Sequence, residues 1–248
     1  MLIMVTGASA GFGEAISHLL IENGHTVIGT GRREERLKAL QEKLGEKFIP
    51  LSFDICSQSK VEKAFLSLSD EFKDIDILVN NAGLALGLEA ADKANIDDWQ
   101  QMIDTNVTGL CNITNLVLPI MVKKNSGLII NMGSIAGTYP YPGGNVYGAT
   151  KAFVKQFSLN LRADLKDTKV RVSNIEPGLC SGTEFSSIRF KGDEAAAQNL
   201  YKNVDAITPI DIANIVLWLA GQPEHININS LEVMPTAQTF SPLYISRR

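Results

Sequence analysis

The sequence predicts an α/β protein built on one doubly wound parallel sheet with helices on both faces. Three observations predict it. Short apolar runs alternate with segments of helical periodicity from one end of the chain to the other. One of those runs, Ile75-Val79, is apolar at almost every position, as a strand covered on both faces must be. The first run ends in a glycine-rich turn that leads straight into a helix.

The elements follow in order. Leu2-Thr6 is a short strand, and Phe12-Glu22 carries apolar residues at helical spacing with Asn23-Gly24 as its C-cap. Thr26-Thr30 is a second strand, followed by the charged helix Glu34-Leu44. Phe48-Phe53 is a third strand and Ser57-Leu68 a third helix, and Ile75-Val79 is the fourth strand. Trp99-Lys123 reads as one or two helices, Gly127-Met132 as the fifth strand, Asn145-Leu165 as a long helix and Val170-Ile175 as the sixth strand. Ser181-Asn203 is polar and irregular, Pro209-Ala220 is a helix and Ser230-Met234 a last short strand. No repeat or composition break marks a linker, so residues 1–248 are read as a single domain. Ligands of such sheets bind beyond the carboxyl ends of the strands, where the motifs below fall.

Bulk properties exclude several functions. Hydrophobic residues make up 45% and charged residues 20%, which is a globular rather than a disordered composition. The formal net charge of -4 and the scattered basic pairs, Arg32-Arg33, Lys123-Lys124 and Arg247-Arg248, argue against a nucleic-acid partner. No run is read as a membrane span, and no basic and apolar leader precedes the first strand. Three cysteines without a CxxC pair suit free thiols in a reducing compartment, so a cytoplasmic location is expected. No spacing suits a metal.

Thr6-Gly13 (TGASAGFG) joins the first strand to the first helix. Glycines let a backbone turn close to a pyrophosphate, and a helix N-terminus offers unpaired N–H groups. Gly7, Ser9, Gly11, Phe12 and Gly13 are therefore candidate dinucleotide contacts. The second strand leads into Arg32 and Arg33, where an acid would bond the ribose 2′-hydroxyl of NAD. Two guanidinium groups suit a 2′-phosphate instead, which points to NADP(H), although first-turn arginines also pair with acids such as Glu34 or Glu35. Asp54, with Ile55 beside it, either accepts from an adenine amine or caps the helix that follows. Asn81 and Gly83 belong to an Asn-rich turn, Asn80-Gly83, that ends the fourth strand beside the same site.

Tyr147 and Lys151 lie one helical turn apart and so share a face. A neighbouring ammonium favours tyrosinate and is expected to lower the phenol pKa from about 10 toward neutrality. That would make Tyr147 a usable general acid and base. Ser134 adds a hydroxyl at the end of the fifth strand. Gly178-Gly182 imitates a nucleophile elbow around Cys180 but lacks a helix after it and a partner histidine, so Cys180 is read as a pocket wall. Ser57-Lys60 fits S-x-x-K but opens a helix, where serine is expected as a cap.

Together TGASAGFG, NNAG at 80–83, Asn106 in DTN, Ser134, YGATK at 147–151 and Pro177-Gly178 resemble the short-chain dehydrogenases/reductases over nearly the whole chain. NNAGLALG, GGNVYGATKAFVKQFSLNLR and EPG…GTEFS…RFKGD are similar to the NADP-dependent 3-hydroxy acid dehydrogenases of that family. The resemblance implies that Tyr147 exchanges a proton with the substrate oxygen, which Ser134 orients. It implies that Lys151 binds the nicotinamide ribose, that Asn106 holds a relay water, and that Pro177 and Gly178 shape the nicotinamide site. It also implies a homotetramer, and a substrate loop at about 179–205. In that loop Arg189 is the candidate for a substrate carboxylate, with Lys191 in reserve, and Gly182 and Gly192 are candidate hinges. Reduction of another alcohol or ketone class, or cofactor sensing without turnover, are the competing functions.

Overall fold

In the computed structural model, residues 1–239 are described. The strands are β1 (Leu2–Thr6), β2 (Thr26–Gly31), β3 (Phe48–Ser52), β4 (Ile77–Asn80), β5 (Gly127–Met132), β6 (Val170–Pro177) and β7 (Ser230–Val233). They form one sheet in the order β3-β2-β1-β4-β5-β6-β7. Every pairing is parallel, as the alternation of strand and helix requires. The order in which strands are added reverses between β1 and β4, which opens a crevice at the carboxyl edge.

The helices are α1 (Gly11–Glu22), α2 (Glu34–Leu44), α3 (Gln58–Leu66), α4 (Ile96–Ile103), α5 (Leu110–Lys124), α6 (Asn145–Asp164), α7 (Phe185–Arg189), α8 (Glu194–Asn199) and α9 (Pro209–Ala220). Strand pleating sends alternate side chains to opposite faces. Ile3 and Val5 of β1 pack with Ile16, Leu37 and Val216 of α1, α2 and α9. Met4 faces the other way, with Val61, Val117 and Leu161 of α3, α5 and α6. Two fully buried layers result, and at about 25 cal/mol per Å² of apolar area they are the main stabilising term.

Several elements differ from expectation. Strand β4 starts at Ile77, because Asp76 is used at the edge: its backbone N–H bonds the Leu2 carbonyl and its carboxylate accepts from the Leu2 N–H at 2.8 Å. Trp99-Lys123 resolves into α4 and α5 with a six-residue π-helical turn, Asp104–Gly109, between them. The stretch read as irregular contains the short helices α7 and α8. They are too brief for periodicity to declare them. The continuous run Ile96–Lys124 has 29 residues and is long and apolar enough to span a bilayer, contrary to the expectation that no run is. Ile113, Val117 and Met121 on it are buried against the sheet. The Arg247-Arg248 pair lies outside the described residues.

Candidate active site

The carboxyl edge opens into a cavity of about 890 Å³. The β1–α1 turn forms its floor. Gly7 and Gly11 have φ of 68° and 56°, the left-handed region that glycine enters without penalty. A Cβ on Gly13 would lie 2.2 Å from the Gly7 carbonyl oxygen, so only glycine lets α1 begin this close to β1. Asn81 locks the turn from the neighbouring strand: its Nδ2 donates to the Thr6 carbonyl at 2.9 Å, and Thr6 Oγ1 accepts from the Asn81 N–H. The N-cap position of α1 is Ala10, with no side-chain cap. Its first amides therefore lack a capping side chain at the cavity floor, as an anion site requires.

At the far end stand Arg32 and Arg33. Arg33 donates Nε and a terminal nitrogen to Ser9 Oγ at 3.4 and 3.2 Å. Its ion pair is with Glu184, at 2.9 Å, rather than with Glu34 or Glu35. Arg36 joins the same carboxylate at 2.7 Å. The two guanidinium groups hold Glu184 below the usual carboxylate range through their hydrogen bonds. Arg36 was not singled out in the sequence, although its place three residues after Arg33 puts both on one helix face. Asp54 lines the cavity with Ile55. Its Oδ1 accepts from the Cys56 N–H at 3.1 Å, so it closes a turn, and the cap position of α3 belongs to Ser57, whose hydroxyl makes no cap bond.

Helix α6 presents Tyr147 and Lys151, buried at 8% and 6% exposure. Lys151 Nζ donates to the Met132 carbonyl at 2.8 Å and lies 5.9 Å from the Tyr147 ring centroid. Ser134 follows β5; its hydroxyl accepts from the Ala136 N–H at 3.1 Å and stands close enough to the Tyr147 phenol to lower its pKa. Asn106 sits on the π-helical turn and is buried. Its amide accepts from the Leu84 N–H and donates to the Leu84 carbonyl, both at 2.9 Å, and to Thr150 Oγ1 at 3.0 Å. A Cβ on Gly83 would lie 3.2 Å from Asn106 Oδ1 and 3.5 Å from Lys151 Nζ, so both atoms border one space. Gly178, Pro177 and Cys180 line the same wall. Burial pushes the Cys180 thiol up to about 12, which suits a wall residue and not a nucleophile.

The substrate-loop residues divide. Arg189 turns into the cavity, donating to Tyr141 Oη at 2.6 Å, with its guanidinium carbon 5.3 Å from the Tyr141 ring centroid and 5.5 Å from that of Tyr147. Phe185 meets Tyr147 edge-on at 5.8 Å. Lys191 turns away, with φ of 52° and an ion pair to Asp98 at 2.7 Å, so it has no part in the cavity lining. Tyr141 was missed in the sequence, because a tyrosine in a Pro- and Gly-rich turn carries no periodic signal.

The electrostatics differ from expectation. Burial pushes the Tyr147 phenol up to about 12, against the Ser134 hydrogen bond and the Arg189 charge that lower it. Burial also pushes the Lys151 ammonium down to about 8. Desolvation is the largest cause of both shifts. A base whose folded pKa is depressed binds fewer protons than the unfolded chain between about 8 and its ordinary 10.5. Stability therefore rises with pH through that window. Urea unfolding of wild type and Lys151→Met is expected to show the wild type gaining stability relative to the variant as pH rises from about 8 to 10.5. A constant difference would contradict the buried ammonium.

The profile of the family described as short chain dehydrogenase matches residues 1–193. A probable NADP-dependent dehydrogenase of Haemophilus influenzae is 62% identical over 98% of this chain and 97% of its own. The NADP-dependent 3-hydroxy acid dehydrogenase YdfG of Salmonella typhi is 57% identical over the full length of both chains. A solved structure, the closed form of serine dehydrogenase complexed with NADP+, superposes with a TM-score of 0.99 at 54% identity, covering 100% of each chain. With its glycine turn, parallel sheet and Tyr147–Lys151 pair in place, the chain belongs to the short-chain dehydrogenase family.

Proposed function

We propose that this dehydrogenase transfers a hydride between NADP(H) and C3 of a short 3-hydroxy acid, such as serine, allo-threonine or 3-hydroxypropionate. The observation that carries this reading is the guanidinium of Arg189 beside the Tyr147 ring in one cavity. It offers a carboxylate handle next to the candidate proton donor. The relatives named for 3-hydroxy acids and serine support the same substrate class. A planar guanidinium can give a carboxylate two parallel bonds, and Tyr141 keeps it aimed.

The cavity fits a dinucleotide that carries an extra phosphate. The floor accepts a pyrophosphate close to backbone, and Arg32, Arg33 and Arg36 supply cations at the far end. When bound, NADP(H) supplies or accepts the hydride. The protein's own groups manage the proton. Tyr147 gives it to the substrate oxygen in reduction and takes it back in oxidation, and Ser134 orients that oxygen. Lys151, with its pKa drawn down to about 8, exchanges a proton readily near neutrality. Asn106 uses three of its four hydrogen-bonding positions on Leu84 and Thr150. The remaining acceptor site on Oδ1 borders the space beside Lys151 and suits a relay water.

We assign the assembly as a homotetramer in the cytoplasm. Ile96, Val122, Phe153 and Leu159 on α4 to α6 are 68%, 39%, 37% and 41% exposed, an apolar surface that a partner would cover. The three cysteines are free thiols, as a reducing compartment keeps them. Light scattering at micromolar concentration is expected to give four subunits, and a monomer would refute the assignment.

Tyr147→Phe is expected to bind NADPH normally while turnover of 3-oxo and 3-hydroxy acids falls by ~10²–10⁴-fold. Near wild-type turnover would remove Tyr147 from the chemistry. Replacing Arg32 and Arg33 by alanine is expected to weaken NADPH far more than NADH, at ~1.5–3 kcal/mol per lost charged contact. Equal weakening would point to a damaged helix start instead. Arg189→Ala is expected to raise KM for a 3-hydroxy acid selectively over a neutral alcohol of similar size. No change on either substrate would place the carboxylate elsewhere.

A further inference from the structure

Strand β6 carries a buried carboxylate that none of the steps above uses. Glu176 is 1% exposed and immediately precedes Pro177-Gly178. Its four hydrogen-bond donors come from four places. Lys155 Nζ of α6 reaches Oε2 at 3.1 Å, and Thr138 Oγ1, just after the turn that follows Ser134, reaches the same oxygen at 3.2 Å. Asn174 Nδ2 of β6 reaches Oε1 at 2.9 Å, and Ser230 Oγ of β7 also bonds Oε1. Lys155 Nζ donates to Thr138 Oγ1 at 2.9 Å as well, which closes a triangle.

The placement of these partners matters more than their number. Lys155 lies one helical turn beyond Lys151 on the stripe that begins at Tyr147. The turn Ile135–Gly137 starts at Ser134, and a Cβ on Gly137 would lie 2.7 Å from the Lys151 carbonyl carbon. Turn and helix therefore touch backbone to backbone. One carboxylate ties together the segments that hold Ser134, Tyr147 with Lys151, and Pro177-Gly178.

Stability alone does not account for this arrangement. Desolvating a carboxylate costs several kcal/mol, and a buried ion pair seldom outperforms apolar packing of the same volume. A full set of donors drawn from separate segments does, however, define their relative positions in a way that apolar contacts do not.

We propose that Glu176 is a positioning residue, which sets the separation of Ser134 from Tyr147 through Thr138 and Lys155. The proposal rests on the reading of Tyr147 and Ser134 as the groups that meet the substrate oxygen.

The test is steady-state kinetics of Glu176→Gln and Lys155→Gln, with Tyr147→Phe measured alongside. The glutamine keeps an acceptor and loses the charge. A misplacement near 1 Å costs about a hundredfold in rate, so kcat of Glu176→Gln is expected to fall by roughly tenfold to a hundredfold. KM for the hydroxy acid and NADPH affinity should change little. Tyr147 is faced by Ser134, Tyr141, Arg189 and Cys180, with the Lys151 ammonium nearby. Of these, Ser134 is the group that Glu176 holds in register. If its hydrogen bond lengthens, the phenol becomes a weaker acid, and the limb of the oxidation pH profile that reports Tyr147 moves to higher pH. A purely structural role would leave kcat per folded molecule and that limb unchanged while lowering the unfolding midpoint, and this result overturns the proposal. Lys155 is 35% exposed and its glutamine replacement can still donate to the carboxylate, so Lys155→Gln decides the matter if Glu176→Gln does not fold. It should shift kcat and the pH limb in the same direction. Wild-type kinetics in both variants, with Tyr147→Phe inactive, would remove only this inference. An active Tyr147→Phe would remove the functional reading itself.

Discussion

Backbone groups at the carboxyl edge of a parallel sheet run out of ladder partners where the loops begin, and in this protein side-chain amides and hydroxyls replace them. Thr6 Oγ1 accepts from the N–H groups of both Asn81 and Ala82. Asn80 Nδ2 donates to Asn131 Oδ1 at 2.8 Å, and Asn131 Nδ2 passes the connection to Ser158 on α6. Helix α6 is thereby attached to the middle of the sheet by polar bonds in a buried layer, where an unmade bond costs ~1–3 kcal/mol. The glycine turn, the Ser134 segment and the Tyr147 face inherit their positions from this edge.

The same edge explains how much could be read from the sequence. The sheet was legible because its strands are short, apolar and regularly spaced, and because Gly7, Gly11 and Gly13 announce the first crossover. Tyr147 and Lys151 were legible because helical spacing alone puts them on one face. Asn106 was not, apart from the family resemblance. A π-helical turn breaks the period that would have placed it, and its partner is a backbone segment, Leu84, far off in sequence. The direction of the Tyr147 shift was missed for a different reason. Spacing shows which charges are neighbours but not how deeply they are buried, and here burial is the larger effect. The sequence favours Arg189 over Lys191 by its planar fork alone, and in the structure Lys191, with a left-handed backbone, turns away to Asp98.

Charge is distributed along the cavity with a clear polarity. Its far end holds Arg33, at the N-cap of α2, and Arg36, within it, which share the Glu184 carboxylate. Its near end holds Arg189 over two tyrosines. The ion pairs at the far end are about half exposed, and exposed pairs contribute only ~0.2–1 kcal/mol each. They are weak enough to be exchanged for an anionic ligand without unfolding their surroundings. The Glu176 and Lys151 contacts are buried, and they belong to the rigid part of the site.

The five-residue helix α7 links two parts of the cavity. Glu184, its N-cap, grips the arginines at one end, and Arg189, its last residue, leans on Tyr141 at the other. One helical turn separates the two contacts. The glycines that flank it, Gly182 and Gly192, have φ of 73° and 90° and are natural pivots. Glu184 and Arg189 thus belong to one short rod, and the arginine end of the cavity is joined through five residues to the end where Tyr141 and Tyr147 stand.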